Sequence, residues 1–149
     1  MEIFIGADYR GFLRKQYLLE KLSTIGADIT DLGCYDVAEG EDYNDVAVAV
    51  AQAVRENRGS RGILICDSAH GMTMQANRYR GVRAVNCDSV ESAKLAREHD
   101  DANVVCLSAQ LLDDDATWRV VQAFLETEFE PLERRVRRIN RLDEREDYA

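Results

Sequence analysis

Four cysteines and two histidines are the side chains in this sequence best suited to moving protons, and one stretch brings two of them together. Residues 66–73 read CDSAHGMT and follow the apolar run GILI. A thiol, a carboxylate and an imidazole in eight residues offer a base, an acid and a charge partner. Cys66 has two readings. Free cysteine is often a small buried apolar residue, and position alone favours that reading. The other is a thiolate base or nucleophile whose pKa is lowered by the helix start that follows it. His99, in AREHDDANVV, either caps a helix end, where its charge suits the dipole, or donates and accepts protons. His70 is equally open to plain solvation in a loop. Cys34, Cys66, Cys87 and Cys106 form no C-x-x-C pair, so neither a disulfide framework nor a zinc knuckle is expected, and no metal site. Thiol redox chemistry at Cys66 lacks a resolving cysteine nearby in the sequence.

These residues need elements to position them. Short β-prone runs (EIFIGA, ADITDLG, GILIC, RAVNC, NVVCLS) alternate with amphipathic stretches at Phe12 to Thr24, Tyr43 to Glu56, Val90 to Glu98 and about Asp113 to Glu126. Val46, Ala49, Val50, Ala53 and Val54 recur three and four apart. The strands read as apolar on both faces, which predicts an α/β fold with a five-stranded parallel sheet covered by helices on both sides. Gly26 and Gly59 are placed as left-handed helix ends, and Asp113 or Asp114 as an N-cap. After Pro131, the segment LERRVRRINRLDEREDYA carries a narrow apolar stripe, as in a helix laid along a neighbour. Its arginines read as a solvated face, Arg134, Arg135 and Arg138 in particular.

In such a sheet, ligands bind beyond the carboxyl ends of the strands, near the point where strand order reverses. Those ends carry GADYRG, DLGCYD, CDSAHG, CDSV and SAQ. The turn after strand three would aim backbone N–H groups at an anion or developing oxyanion.

The 149 residues fit one domain, taken as 1–149 with a core of 1–129 and a helical extension of 130–149. A net charge of −9 argues against nucleic acid as partner. No run is long enough to cross a bilayer and MEIFIGADYRG lacks signal-peptide features, so a cytoplasmic protein without a membrane partner is expected.

Together the motifs resemble those of type B ribose-5-phosphate isomerase and the galactose-6-phosphate isomerase subunits. IGADYRG is similar to the family's I-G-x-D-H-x-G, DLGCYD to D-x-G-T, and EDYNDVAVAVAQAV to its D-Y-P-D-x-A helix. RGILICDSAHGMTMQANRYRGVRAVNC resembles G-I-L-I-C-G-T-G-x-G-M-S-x-A-A-N-K-x-x-G-I-R-A, and SAKLAREHDDANVV resembles S-A-x-x-A-R-x-H-N-D-A-N-V. The resemblance implies a Rossmann-like three-layer sandwich whose C-terminal helix packs on a neighbouring subunit. It also implies a homodimer or homotetramer with sites completed by that subunit, and cofactor-free aldose–ketose isomerisation of a sugar or sugar phosphate through a cis-enediolate. On this reading Cys66 moves the proton between C1 and C2, His99 opens the ring and Asp8 contacts sugar hydroxyls. Tyr43 and Asn103 line the pocket, and the turn Asp67, Ser68, Ala69, His70 and Gly71 supplies the amides. Tyr9, Asp100 and Arg137 fall at family binding positions.

The sequence also departs from that pattern. Asp67 and Ala69 replace glycines, His70 an aliphatic residue, Tyr9 a histidine, Gln110 and Glu133 arginines, and Asp100 an asparagine. Asp67 would raise the Cys66 pKa unless its carboxylate turns away or pairs with a cation such as His70. These changes leave two alternatives beside the sugar phosphate: a non-phosphorylated sugar or sugar acid, or a catalytically inactive partner subunit.

Overall fold

A computed structural model describes residues 1–37 and 42–145. Five parallel strands run β1 (Glu2–Ala7), β2 (Asp28–Asp31), β3 (Arg61–Cys66), β4 (Ala84–Asn86) and β5 (Val104–Ser108). They are ordered β2-β1-β3-β5-β4. The helices are α1 (Phe12–Thr24), α2 (Tyr43–Glu56), α3 (His70–Ala76), α4 (Val90–Asp100), α5 (Asp114–Glu126) and α6 (Glu133–Asp143). No helix among the described residues is long and apolar enough to cross a membrane.

The period-2 alternation of each strand divides the core. Ile3, Ile5, Ile63, Ile65, Val105 and Leu107 face one side with Leu18, Leu22, Val121 and Phe124 from α1 and α5. Phe4, Leu64, Val104 and Cys106 face the other with Val46, Val50 and Met72 from α2 and α3. Each large aliphatic side chain buried this way contributes about 1.5–3 kcal/mol. The expectation of strands apolar on both faces holds for β1, β3 and β5 and fails for β2, where DITD alternates exposed and half-buried. As an edge strand, β2 is covered on one side only, and polar residues there also discourage edge-to-edge pairing.

Gly26 and Gly59 take positive φ, +68° and +87°, just past the helices they end. The N-cap of α5 is Asp113, whose Oδ1 accepts from Ala116 N at 2.7 Å. The C-terminal extension is helical over α6, which rests against the end of α4 in its own chain; residues 146–149 lie outside the described residues. Arg135 is buried there instead of solvated, because its guanidinium donates to the Glu98 carbonyl (3.2 Å) and to Glu130 Oε2 (2.7 Å).

From β1 the chain steps to β2 on one side, then crosses to β3 on the other. The loops leaving β1 and β3 therefore face each other across the reversal in strand order, where a crevice forms.

Candidate active site

Cys66 ends β3, the central strand, flanked by β1 and β5 and registered opposite Ser108. The start of β3's exit turn is fixed by the end of β5: Ala109 N donates to the Cys66 carbonyl (2.8 Å). Ser108 Oγ (2.6 Å) and Gln110 N (3.2 Å) donate to the carbonyl of Asp67. The chain then turns through Ala69 at φ +71°, ψ −8°, the left-handed conformation that glycine adopts without penalty. Alanine keeps the glycine-like turn and carries the strain. In that geometry Ala69 N donates to Cys66 Sγ at 3.1 Å.

The opposing loop is equally constrained. Asp8, 7% exposed, accepts through Oδ1 from the backbone N–H of Arg10 (3.0 Å) and Gly11 (2.9 Å). Gly11 presses on β3 so closely that a Cβ there would collide with the Ile65 carbonyl. Tyr43, at the first turn of α2, lies over Gly71, where an added Cβ would meet the ring at 2.5 Å. Asp8, Tyr43, Cys66 and the 67–71 turn thus form one cluster, with Tyr9 beside it.

Asp67 pairs with Arg10 (3.8 Å), which also donates from Nε to Tyr9 Oη at 3.1 Å. The pairing with His70 is not seen: His70 Nδ1 instead lies 3.1 Å from Asn86 Nδ2. The lowered thiol pKa of the alternative thiolate reading is not seen either. Burial pushes the Cys66 thiol up; the Ala69 N–H opposes that, the Asp8 carboxylate adds to it, and the N–H groups of Met72 and Ser68 oppose it. A seven-residue helix offers nearby amides but too little to offset desolvation. Burial likewise raises Asp8, against the N–H groups of Gly11 and Arg10.

His99, Asp100, Asn103 and Arg137 are not brought to this cluster. The end of α4 leads into the start of β5, and Val104 to Ser108 spans about 13 Å of strand at 3.3 Å per residue before the level of Cys66 is reached. His99 is partly exposed there, 3.5 Å from Glu98 Oε1, with Asp100 beside it. Arg137 sits on α6 next to a shallow depression shared with Glu133, Val136 and Arg141. Asn103 is held in place at the other end of the sheet: Oδ1 accepts from Arg83 N and Nδ2 donates to the Gly81 carbonyl, each at 2.8 Å.

Sequence reasoning missed Lys15. Fully buried, its ammonium donates to both Asp31 oxygens (2.7 and 2.9 Å) and to the Cys34 carbonyl, tying α1 to the loop after β2. The signal was legible: Lys15 shares the buried stripe of α1 with Leu18 and Leu22. Among the described residues no group of three His, Cys, Asp or Glu is placed to hold a metal ion.

With the geometry in view, comparison with known proteins is informative. The family described as Ribose/Galactose Isomerase matches residues 3–142. A probable ribose-5-phosphate isomerase B of Mycoplasma genitalium is 40% identical over 129 residues, 86% of this chain and 85% of that protein. A D-erythrulose-4-phosphate isomerase of Pectobacterium atrosepticum is 33% identical over 130 residues, 87% and 86% of the two chains. The crystal structure of the Mycoplasma genitalium ribose-5-phosphate isomerase B with bound ribulose-5-phosphate superposes with a TM-score of 0.91. It is 39% identical and covers 95% of this chain and 93% of that one.

Proposed function

The chain belongs to the ribose/galactose isomerase family, and from that premise we propose that it interconverts an aldose phosphate and its ketose by proton transfer, with Cys66 as the base. One observation carries the assignment of Cys66: its sulfur is held 3.1 Å from the Ala69 N–H, between a buried carboxylate and a turn of amides, at the crevice where a parallel sheet binds ligands. The Cys66 thiolate takes the proton from C2 of the open-chain aldose and returns it to C1, while the hydroxyl proton of O2 passes to O1. The first-turn amides of α3 have no helical acceptors of their own and stabilise the enediolate oxygens. Asp8 orients the sugar hydroxyls through its second carboxylate oxygen, and Tyr43 walls the pocket.

Ring opening assigned to His99 requires a second copy of the chain, because His99 stands at the other end of the sheet from its own Cys66. The placement supports a two-fold assembly in which the His99, Asp100 and Arg137 patch of one subunit closes the Cys66 pocket of the other. Named relatives act on four- and five-carbon sugar phosphates, so the phosphate lies within the substrate class proposed. Arg10 of the same chain, 3.8 Å from Asp67, and the partner's Arg137 would serve it.

The test is proton NMR in deuterated buffer with ribose, ribulose and erythrulose phosphates and their dephosphorylated forms. Solvent deuterium entering at C2 of the aldose phosphate, and lost in Cys66→Ala, is the expected result. Exchange that survives in Cys66→Ala would remove Cys66 from the chemistry, and no exchange with any member would remove the isomerase reading.

A further inference from the structure

Two of the residues that depart from the family pattern, Tyr9 and Asp67, meet on a third, Arg10. Its Nε donates to Tyr9 Oη at 3.1 Å, its guanidinium carbon lies 5.5 Å from the centre of the Tyr9 ring, and its Nη1 stands 3.8 Å from Asp67 Oδ1. The pair joins the loop leaving β1 to the turn leaving β3, so it spans the crevice that holds Asp8 and Cys66. Both anchors are fixed. The Arg10 N–H is held by Asp8 Oδ1 (3.0 Å), and the Asp67 carbonyl accepts from Ser108 Oγ (2.6 Å) and Gln110 N (3.2 Å).

Exposed ion pairs are common and contribute little, and that is the plain reading of this one. Two observations exceed it. At 3.8 Å the contact is too long for a hydrogen bond, and among the described residues no hydrogen bond takes up either Nη group of Arg10. The two side chains are 55% and 47% exposed, within reach of a ligand in the crevice. The second observation is charge. The Asp8 carboxyl, raised first by burial, is raised further by Asp67 and lowered by Arg10, so one guanidinium serves two carboxylates. A phosphate dianion arriving there adds to an excess of negative charge unless one carboxylate gives way. Asp8 is buried and tied to two backbone N–H groups; Asp67 is the one able to swing aside, by rotating its side chain on a fixed backbone.

We infer that Asp67 is a displaceable counter-ion that sets how strongly the pocket prefers a phosphorylated sugar: it occupies Arg10 while the site is empty and yields it to the phosphoryl group of the substrate. The inference rests on this crevice being the isomerase pocket. On binding, Nη1 and Nη2 present the planar guanidinium fork to two phosphoryl oxygens while Nε keeps Tyr9. Displacing Asp67 weakens phosphate binding by the worth of the pair. A sugar without phosphate never calls on Arg10 and is unaffected. The same competition favours release, because a product that keeps its phosphate leaves with a carboxylate ready to take Arg10 back.

The experiment is an amide NMR titration of the full chain carrying Cys66→Ala, which lacks the proposed base, with ribose 5-phosphate and with ribose. Adding Asp67→Asn should tighten ribose 5-phosphate roughly two- to fivefold, the worth of a half-exposed ion pair. The affinity for ribose should stay where it was, a difference that a general change in the turn would not produce. Arg10→Gln should weaken ribose 5-phosphate at least about tenfold, and in that background the gain from Asp67→Asn should vanish. An affinity no tighter in Asp67→Asn, an equal gain for ribose, or a gain that persists without Arg10, which would mean plain repulsion, would overturn the inference and leave the pocket reading in place. No binding of ribose 5-phosphate with Asp67 present or replaced would overturn both.

Discussion

The two ends of the sheet are built differently, although the proposed reaction needs both. At the carboxyl ends, Cys66, Asp8 and Gly71 are buried or tightly packed, and the carbonyls of Cys66 and Asp67 and the N–H of Ala69 are engaged within the chain. At the amino ends, Asp100 and Arg137 are exposed and His99 is partly so, with their anchoring done by the neighbouring Arg97 and Arg135, 1% and 9% exposed. On the proposed mechanism, the chain prepares one half of a site for chemistry and presents the other half outward. Preorganised donors must be rigid, whereas a patch destined for another subunit must remain accessible until the subunits meet.

Lys15→Ala probes the rigid half most severely. It leaves Asp31 and the Cys34 carbonyl without their buried cation, and the cost should be about 3 kcal/mol, a fall in Tm of roughly 10 °C. Arg137→Ala supplies the contrast. Its stability should stay within about 0.5 kcal/mol of the parent, while kcat/KM for a sugar phosphate falls at least about tenfold, reflecting a lost charge-assisted contact of roughly 1.5–3 kcal/mol. Equal thermal penalties for the two variants would erase the distinction between the ends.

A smaller effect concerns charge inside the pocket. Only the thiolate is reactive, and burial raises the Cys66 pKa, so the rise of iodoacetamide reactivity should lie at higher pH than for a free thiol. Asp8→Asn removes a negative charge that disfavours the thiolate, and should move that rise back toward lower pH. Movement in the opposite direction would show that Asp8 acts on Cys66 by another route. The smallest effect belongs to Ala69→Gly. Relief of the left-handed strain, partly offset by the entropy glycine adds to the unfolded chain, should raise stability by at most about 1 kcal/mol. A clear loss of stability would mean that the alanine methyl contributes packing that outweighs the strain.

Much of this was legible in the sequence. The alternation of apolar runs and amphipathic stretches gave β1, β3 and β5 and every helix flanking the sheet, because those elements are buried on the faces their pattern marks. The edge strand β2 was misread, since a strand covered on one side need not be apolar on two. Cys66, Asp8 and the 67–71 turn were visible as a motif at strand ends. The direction of the Cys66 shift was not, because it depends on the burial created by packing around Cys66, and no spacing rule reports desolvation. Asn103 looked available in the sequence; only the fold shows it at the far end of the sheet from Cys66, its amide tying Arg83 N to the Gly81 carbonyl. Arg135 looked like one more arginine on a solvated face until α6 docked on α4.

The central claim, that one site draws Cys66 and His99 from different subunits, is tested most directly by mixing two crippled variants. Cys66→Ala and His99→Ala homo-oligomers should each be nearly inactive. After unfolding and refolding together in equal amounts, half of two-fold dimers are mixed, and each mixed dimer has one intact site of two. Activity should therefore return to roughly a quarter of the parent value. A mixture no more active than its components, with subunit exchange verified by mass, would contradict the shared site and place both residues in a single chain's chemistry.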